Sequence, residues 1–323
     1  MNSLAPVIVF AYKRPDLLEQ TLVSLSGNAE SANTELFIFC DGPKAQAGPA
    51  ERAAIDQVKK IASSRNWCGK TQVIAAESNK GLATSVMEGV SMLLNTHESV
   101  IVVEDDVRLS KYFLRFMNDA LNMYASSDRV LAVGSWNYFA DGKIADDSFF
   151  LRYPDSIAWA TWKRSWSKFR SDGAKAMEEL QAKNLMQRFN GDRSISYFSD
   201  MLKKQCEGKV DSWAIRWTAT AILEDMYSIY PSRSLSRHEG FGEGATHETN
   251  DRDYNATLGL AQEPIALKPI SVEENLKAFG YWKKFLLANF SDTNGFSGWK
   301  LWVWKRLPFS FRNWYRNKTV KAI

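Results

Sequence analysis

Apolar runs and helical repeats alternate along the first part of the chain. Val7-Ile8-Val9-Phe10 and Leu36-Phe37-Ile38-Phe39-Cys40 are short, continuous apolar runs, the pattern of strands covered on both faces. Gln72 to Ala75, Val100 to Val103 and Val130 to Val133 read as three further strands. Between them, Leu18/Leu22/Leu25, Ile55/Val58/Ile61, Leu82/Val86/Val90/Leu93 and Phe113/Met117/Leu121/Tyr124 recur at helical spacing. Pro15 suits the first turn of a helix, where its missing N–H costs nothing. Asp41-Gly42-Pro43 marks a turn, and Asn79-Lys80-Gly81 opens the third helix. Strands alternating with helices in this way predict an α/β fold with a mostly parallel sheet flanked by helices. In such sheets ligands bind beyond the carboxyl ends of the strands.

The pattern changes after Gly134. Tryptophans gather at Trp136, Trp159, Trp162, Trp166, Trp213 and Trp217, and a moderately polar helical stretch runs from about Ala174 to Cys206. A Gly-rich loop, Glu239-Gly240-Phe241-Gly242-Glu243-Gly244, then closes on Ala245-Thr246-His247. There is no internal repeat or low-complexity segment. The expected organisation is one continuous domain over 1–289, with a nucleotide-binding half (1–135) and an acceptor-side half (136–289), followed by an appendage at 290–323.

Composition narrows the classes. The 323 residues are 45% hydrophobic and 24% charged, as in a globular protein. No apolar run approaches the roughly 20 residues that span a bilayer. Met1 to Pro6 lacks the charged-then-apolar pattern of a secretory signal. Cys40, Cys68 and Cys206 have no metal-ligand spacing, so buried free thiols are expected rather than a disulfide framework or zinc site. These features predict a cytoplasmic protein.

Charge changes the picture at the carboxyl end. The formal net charge is +4, yet residues 290–323 hold seven Lys and Arg against Asp292 alone, so the tail carries +6 and the body is slightly acidic. Trp299, Trp302, Trp304, Phe309, Phe311, Trp314 and Tyr315 alternate with those basic residues. Such a segment suits an anionic membrane interface, where each basic residue adds about 1 kcal/mol. It suits a helix packed on the body equally well. Confinement of the basic charge to the tail argues against nucleic acid as a partner.

Candidate chemistry lies at the predicted strand ends. Glu104-Asp105-Asp106 follows four apolar strand residues. Adjacent carboxylates repel unless a cation or donors compensate. Mg²⁺ and Mn²⁺ favour such oxygen ligands, often together with substrate phosphates. In extended geometry Glu104 and Asp106 share a face and Asp105 points away. A solvated acidic loop, or the start of the helix after Ser110, fits the same residues. Arg14 offers a guanidinium that matches phosphate geometry.

In order along the chain, Val7 to Pro15, Asp41-Gly42, Asn79-Lys80-Gly81-Leu82 and Val103-Glu104-Asp105-Asp106 resemble the nucleotide-binding half of GT-A glycosyltransferases. Within that fold they are most similar to the inverting N-acetylglucosaminyltransferase I type and to related bacterial family 2-like sugar transferases. Val210-Asp211-Ser212-Trp213-Ala214-Ile215-Arg216-Trp217 resembles that group's aspartate-tryptophan segment, and Tyr230 to His247 its Gly-rich loop. The resemblance implies that Ala11, Arg14, Lys80 and Gly81 meet the nucleotide, and that Asp41 meets its uracil. It also implies that Glu104 reaches the donor sugar, Asp105 the ribose, and Asp106 a Mn²⁺ or Mg²⁺ ion with His247 in support. Asp211 matches the catalytic base. Ala245 departs from the relatives' glycine, which bears on the role of His247.

The implied activity is transfer of a sugar from a nucleotide donor, UDP by expectation, to a saccharide acceptor. Trp159, Trp162 and Trp213 are candidates to hold a sugar face, with core packing as their other use. A lipid-linked acceptor of bacterial surface polysaccharide synthesis would agree with a tail resting on the inner face of the cytoplasmic membrane. Two other classes stay open: a sugar-nucleotide-forming nucleotidyltransferase and a non-catalytic carbohydrate-binding protein. The first usually has a Gly-rich phosphate loop after its first strand, where this chain has Tyr12-Lys13-Arg14-Pro15.

Overall fold

The computed structural model describes residues 4–139, 143–240 and 259–290, the side chains of 288–290 excepted. His247 and the 291–323 tail lie outside the described residues, as does most of the Gly-rich loop. Among the described residues ten strands form in chain order: β1 (Val7–Ala11), β2 (Glu35–Cys40), β3 (Lys70–Ala75), β4 (Ser99–Glu104), β5 (Val107–Leu109), β6 (Val130–Gly134), β7 (Ser148–Leu151), β8 (Ala158–Trp162), β9 (Tyr227–Pro231) and β10 (Ser236–His238). Eight of them make one sheet, ordered β3-β2-β1-β4-β8-β6-β9-β7, and β5 pairs antiparallel with β10 beside it. β1, β2, β3, β4, β6 and β9 run one way; β8 and β7 run against them. The fold is therefore α/β with a mostly parallel sheet flanked by helices.

The five predicted strands all form. The sheet also contains β8, an antiparallel strand wedged between β4 and β6. Ala158-Trp159-Ala160-Thr161-Trp162 is buried throughout. Its small-large alternation suits a central strand, and the tryptophans serve as wall material for the core. The stretch from Ala174 to Cys206 is three helices, Gly173–Ala182, Met186–Asn190 and Tyr197–Cys206, broken at Asn184 and Gly191, which both take positive φ. Cys40 and Cys68 are buried, but Cys206 is exposed, because it ends a helix on the outer surface.

Alternate residues of the central strands feed two cores. Val7, Val9, Ile101 and Val103 face helices Pro15–Ser26, Pro49–Ala62 and Phe113–Met123. Ile8, Phe10, Val100 and Val102 face helices Leu82–Leu94 and Trp213–Leu223. This period of two leaves no free face, as a parallel sheet requires. A third cluster joins Tyr153, Phe189, Leu202 and Trp282 around the helices of the second half. Among the described residues, no helix is long and apolar enough to cross a membrane.

Candidate active site

The carboxyl ends of β1 and β4 lie side by side, with Phe10 opposite Glu104. β4 stops there, Asp105 and Asp106 make a two-residue turn, and the chain resumes as β5. The turn alters the alternation expected for an extended triplet. Asp105 and Asp106 both meet Arg14, whose Nη2 lies 2.9 Å from Asp105 Oδ1 and 2.7 Å from Asp106 Oδ2. Asp105 Oδ2 also accepts the backbone N–H of Tyr12 at 3.2 Å. Arg14 is delivered by the residue order itself, since it ends the β1 loop and Pro15 starts the following helix.

His238 arrives from β10. Its Nε2 lies 3.0 Å from Asp106 Oδ2, and β10 is held there by pairing with β5, His238 opposite Val107. Glu104, Asp106 and His238 each offer a ligand atom, and these atoms all lie within 4.8 Å of one another. Opposite corners of an oxygen-rich divalent coordination sphere are about 4–5 Å apart. Asp106 Oδ1 is buried and, among the described residues, has no hydrogen-bond partner. An unpaired buried carboxylate oxygen beside a second carboxylate and an imidazole is a donor set suited to Mn²⁺ or Mg²⁺. Gly240 closes over the group: a Cβ at that position would overlap Asp106 Oδ2 and press on Arg14 Nη1.

The electrostatics follow from burial and crowding. Burial, then the charges of Asp106 and Asp105, hold Glu104 well above the ordinary glutamate value. Burial also pushes Asp105 up to about 6, against the pull of Arg14. Burial acts the same way on Asp106, but the hydrogen bond and charge of His238, with Arg14, outweigh it and leave that carboxyl lowered. One guanidinium and one imidazole thus face three carboxyls. The group favours an added cation or retained protons.

Asp41 forms a second cluster one strand away. Its Oδ1 accepts the N–H groups of Gly42 and Lys80, both at 2.8 Å. Its Oδ2 accepts Asn79 Nδ2 at 2.8 Å and the Gly81 N–H at 3.0 Å. Four donors fill the acceptor capacity of a carboxylate. In this conformation Asp41 organises the loop that starts helix Leu82–Leu94, a different task from reading a base. Gly81 makes that loop possible through φ +78°. The Lys80 ammonium pairs with Glu88 at 2.6 Å, and the Ala11 carbonyl ties the cluster to β1 by accepting the Asp41 N–H.

Asp211 is placed by topology. Helix Trp213–Leu223 ends four residues before β9, which runs parallel to β1, so the helix C-terminus lies at the amino edge of the sheet. Eleven residues rise about 16 Å, close to the length of a five-residue strand. Its N-terminus therefore reaches the carboxyl edge, where Trp213 stacks on Trp159 with centroids 4.9 Å apart. Ser212 caps this helix by accepting the Ile215 N–H, leaving Asp211 58% exposed and 2.9 Å from Arg216 Nη2. The described residues show no contact between Asp211 and the acidic triplet.

Trp159, Trp162 and Trp213 do not offer sugar-binding faces here. All three are buried, and Trp162 Nε1 donates to the Leu121 carbonyl. Their rings pack against other core side chains. His238, by contrast, escapes a reading of the sequence that weighs only the histidine ending the Gly-rich loop. The chain has three histidines, and the alternation Ser236-Arg237-His238 just before the glycines is the signal that could have drawn notice to this one.

No family model matches the chain, and no curated protein does. Solved structures show distant likeness, these three among them. One is a cytidylyltransferase from Leptospira borgpetersenii serovar Hardjo-bovis (12% identity, TM-score 0.33), over 52% of this chain and 64% of that one. Another is the mannosyltransferase PcManGT from Pyrobaculum calidifontis in complex with GDP-Man and Mn²⁺ (13%, 0.33), over 67% and 73%. The third is TarS from S. aureus (12%, 0.34), over 49% and 28%.

Proposed function

We propose that this chain is a metal-dependent inverting glycosyltransferase that moves a sugar from a UDP donor to a saccharide acceptor. The observation that carries the proposal is the convergence of Glu104, Asp106 and His238 beside Arg14 at the carboxyl ends of β1 and β4. Asp106, with Glu104 and His238, would hold the Mn²⁺ or Mg²⁺. When bound, that ion would offset the charge that develops on the leaving diphosphate. Arg14 would meet the same phosphates, with Asp105 orienting its guanidinium from the other side. The N–H-rich loop at Asn79-Lys80-Gly81 would line the nucleotide side, held in shape by Asp41.

Asp211 is the proposed base. It would take the proton of the acceptor hydroxyl as that oxygen bonds to the anomeric carbon and the bond from that carbon to the diphosphate oxygen breaks. The sugar inverts and the diphosphate leaves with the electron pair. A base so placed contributes about 10²–10⁴-fold. Metal-dependent UDP release from a panel of UDP-sugars, with product anomericity read by NMR, tests the proposal. Asp211→Asn should lose turnover by about that factor while UDP binding persists; near-normal turnover would remove Asp211 from the role.

For the acceptor, the favoured class is a lipid-linked saccharide, on the strength of the basic aromatic tail and the bacterial resemblance. A peripheral place on the inner face of the cytoplasmic membrane would accompany it. Flotation with anionic liposomes compares the full chain with a version ending at Asn289. Equal flotation would remove the membrane contact.

A further inference from the structure

We propose that Thr21 is a positioning residue for the metal-binding turn, the inference resting on the reading of Glu104-Asp105-Asp106 as a cation site. Thr21 sits in the middle of helix Pro15–Ser26 and is 1% exposed. A mid-helix threonine ordinarily turns its hydroxyl back on its own helix. This one reaches across the fold instead. Its Oγ1 donates to the Asp105 carbonyl at 2.9 Å and accepts the Val107 N–H at 3.1 Å. A single hydroxyl therefore grips the backbone on both sides of Asp106.

The grip falls between two strands. β4 ends at Glu104 and β5 begins at Val107, so the two-residue turn lacks its own ladder. From the opposite side, the Glu239 N–H donates to the Asp106 carbonyl at 2.7 Å. The turn is held between the helix and β10, and the Asp106 carboxylate is aimed by its backbone. Thr21 shares its helix with Arg14, the N-cap residue that meets the carboxylates of Asp105 and Asp106. One rigid element thus sets both the backbone and the counter-charge of the turn.

Ser24 provides an internal control. One turn further along the same helix, its Oγ accepts the Leu109 N–H at 3.1 Å, a bond of the same kind to β5 but beyond the turn. Outer-shell partners of metal ligands typically change metal affinity by about 10–100-fold when removed. The test uses the full chain and titrates MnCl₂ in the presence of UDP, with thermal melts alongside, for wild type, Thr21→Val, Thr21→Ser and Ser24→Ala. We expect Thr21→Val to weaken Mn²⁺ binding about tenfold or more, Thr21→Ser to recover it, and Ser24→Ala to lose stability while keeping affinity. Wild-type affinity in Thr21→Val, or an equal loss in Ser24→Ala, would overturn the proposal.

If the wild type binds no Mn²⁺ with UDP, the functional reading fails, and the positioning role is then judged by crystal structures of wild type and Thr21→Val. Displacement of the Asp106 carboxylate from Arg14 and His238 in the variant supports it. Unchanged contacts overturn it.

Discussion

Two buried carboxylates stand at the carboxyl edge of the same sheet and are treated in opposite ways. Asp155 accepts four backbone N–H groups, those of Ser135, Trp136, Ser156 and Ile157, at 2.7–3.1 Å. Among the described residues, Asp106 receives the side chains of Arg14 and His238, both on Oδ2, and its Oδ1 has no hydrogen-bond partner. The two loops are neighbours, since the Glu104 N–H donates to the Ile157 carbonyl at 3.1 Å. A carboxylate fixed by backbone is part of the scaffold, because those donors cannot leave without unfolding the loop. One held by side chains keeps capacity for a ligand. Burial raises Asp155 as well, so its four bonds offset desolvation only in part.

The largest expected effects separate the pair. Asp106→Ala should lower metal-dependent transfer by about 10³-fold or more and destabilise the fold less than Asp155→Ala, because Arg14 keeps Asp105 as a partner. Asp155→Ala should do the reverse, costing about 3 kcal/mol or more in a urea melt by leaving four N–H groups unpaired. If Asp106→Ala proves the less stable of the two, the contrast fails.

A smaller effect tests the crowding within the triplet. The Glu104 pKa is raised in the folded state, so the protonated form is favoured by folding. That stability is intact below the unfolded value near pH 4 and is lost as pH rises toward the folded value. Glu104→Gln mimics the protonated form, so in EDTA its advantage over wild type should grow with pH, by about 1.4 kcal/mol for each unit between the two values. A pH-independent difference in melting temperature would contradict the crowding.

The smallest effect concerns a carboxylate of a third kind. Asp192, on the surface, accepts the Ser194 N–H and hydroxyl and pairs with Lys283 at 3.0 Å; those bonds and then Lys283 lower it to about 2. Its contribution is present above the unfolded value near 4 and fades as pH falls toward 2. Asp192→Asn should therefore cost less than about 1 kcal/mol at neutral pH, and progressively less as pH falls below the unfolded value toward 2. A larger loss in urea melts would place a surface pair on a level with Asp155.

Much of the sheet was legible because its strands are continuous apolar runs with turn residues between them. β8 was not, because Ala158 to Trp162 alternates small and large residues that read as readily as a sugar platform. The tryptophans of that strand show the same limit: an aromatic residue suits a core and a carbohydrate face on identical grounds, and only packing decides. The strand-end placement of Arg14 and the acidic triplet was legible from the apolar runs that precede them. Their relation to one another depended on a turn that local sequence does not specify. Asp41 was visible as a residue, but its four donors come from loops that only the folded sheet brings together. His238 and Thr21 were hidden for a shared reason, since each acts on the triplet from a distant element whose own pattern is ordinary.

The most direct measurement is a calorimetric titration of Mn²⁺ into the wild type and Asp106→Ala, with and without UDP. A site provided by two carboxylates and one imidazole should bind the ion weakly alone and about tenfold or more tightly once diphosphate oxygens complete the shell. Loss of that enhancement in Asp106→Ala is the predicted result. Equal Mn²⁺ affinity with and without UDP, or an enhancement that survives Asp106→Ala, would contradict a metal-phosphate centre at the end of β4.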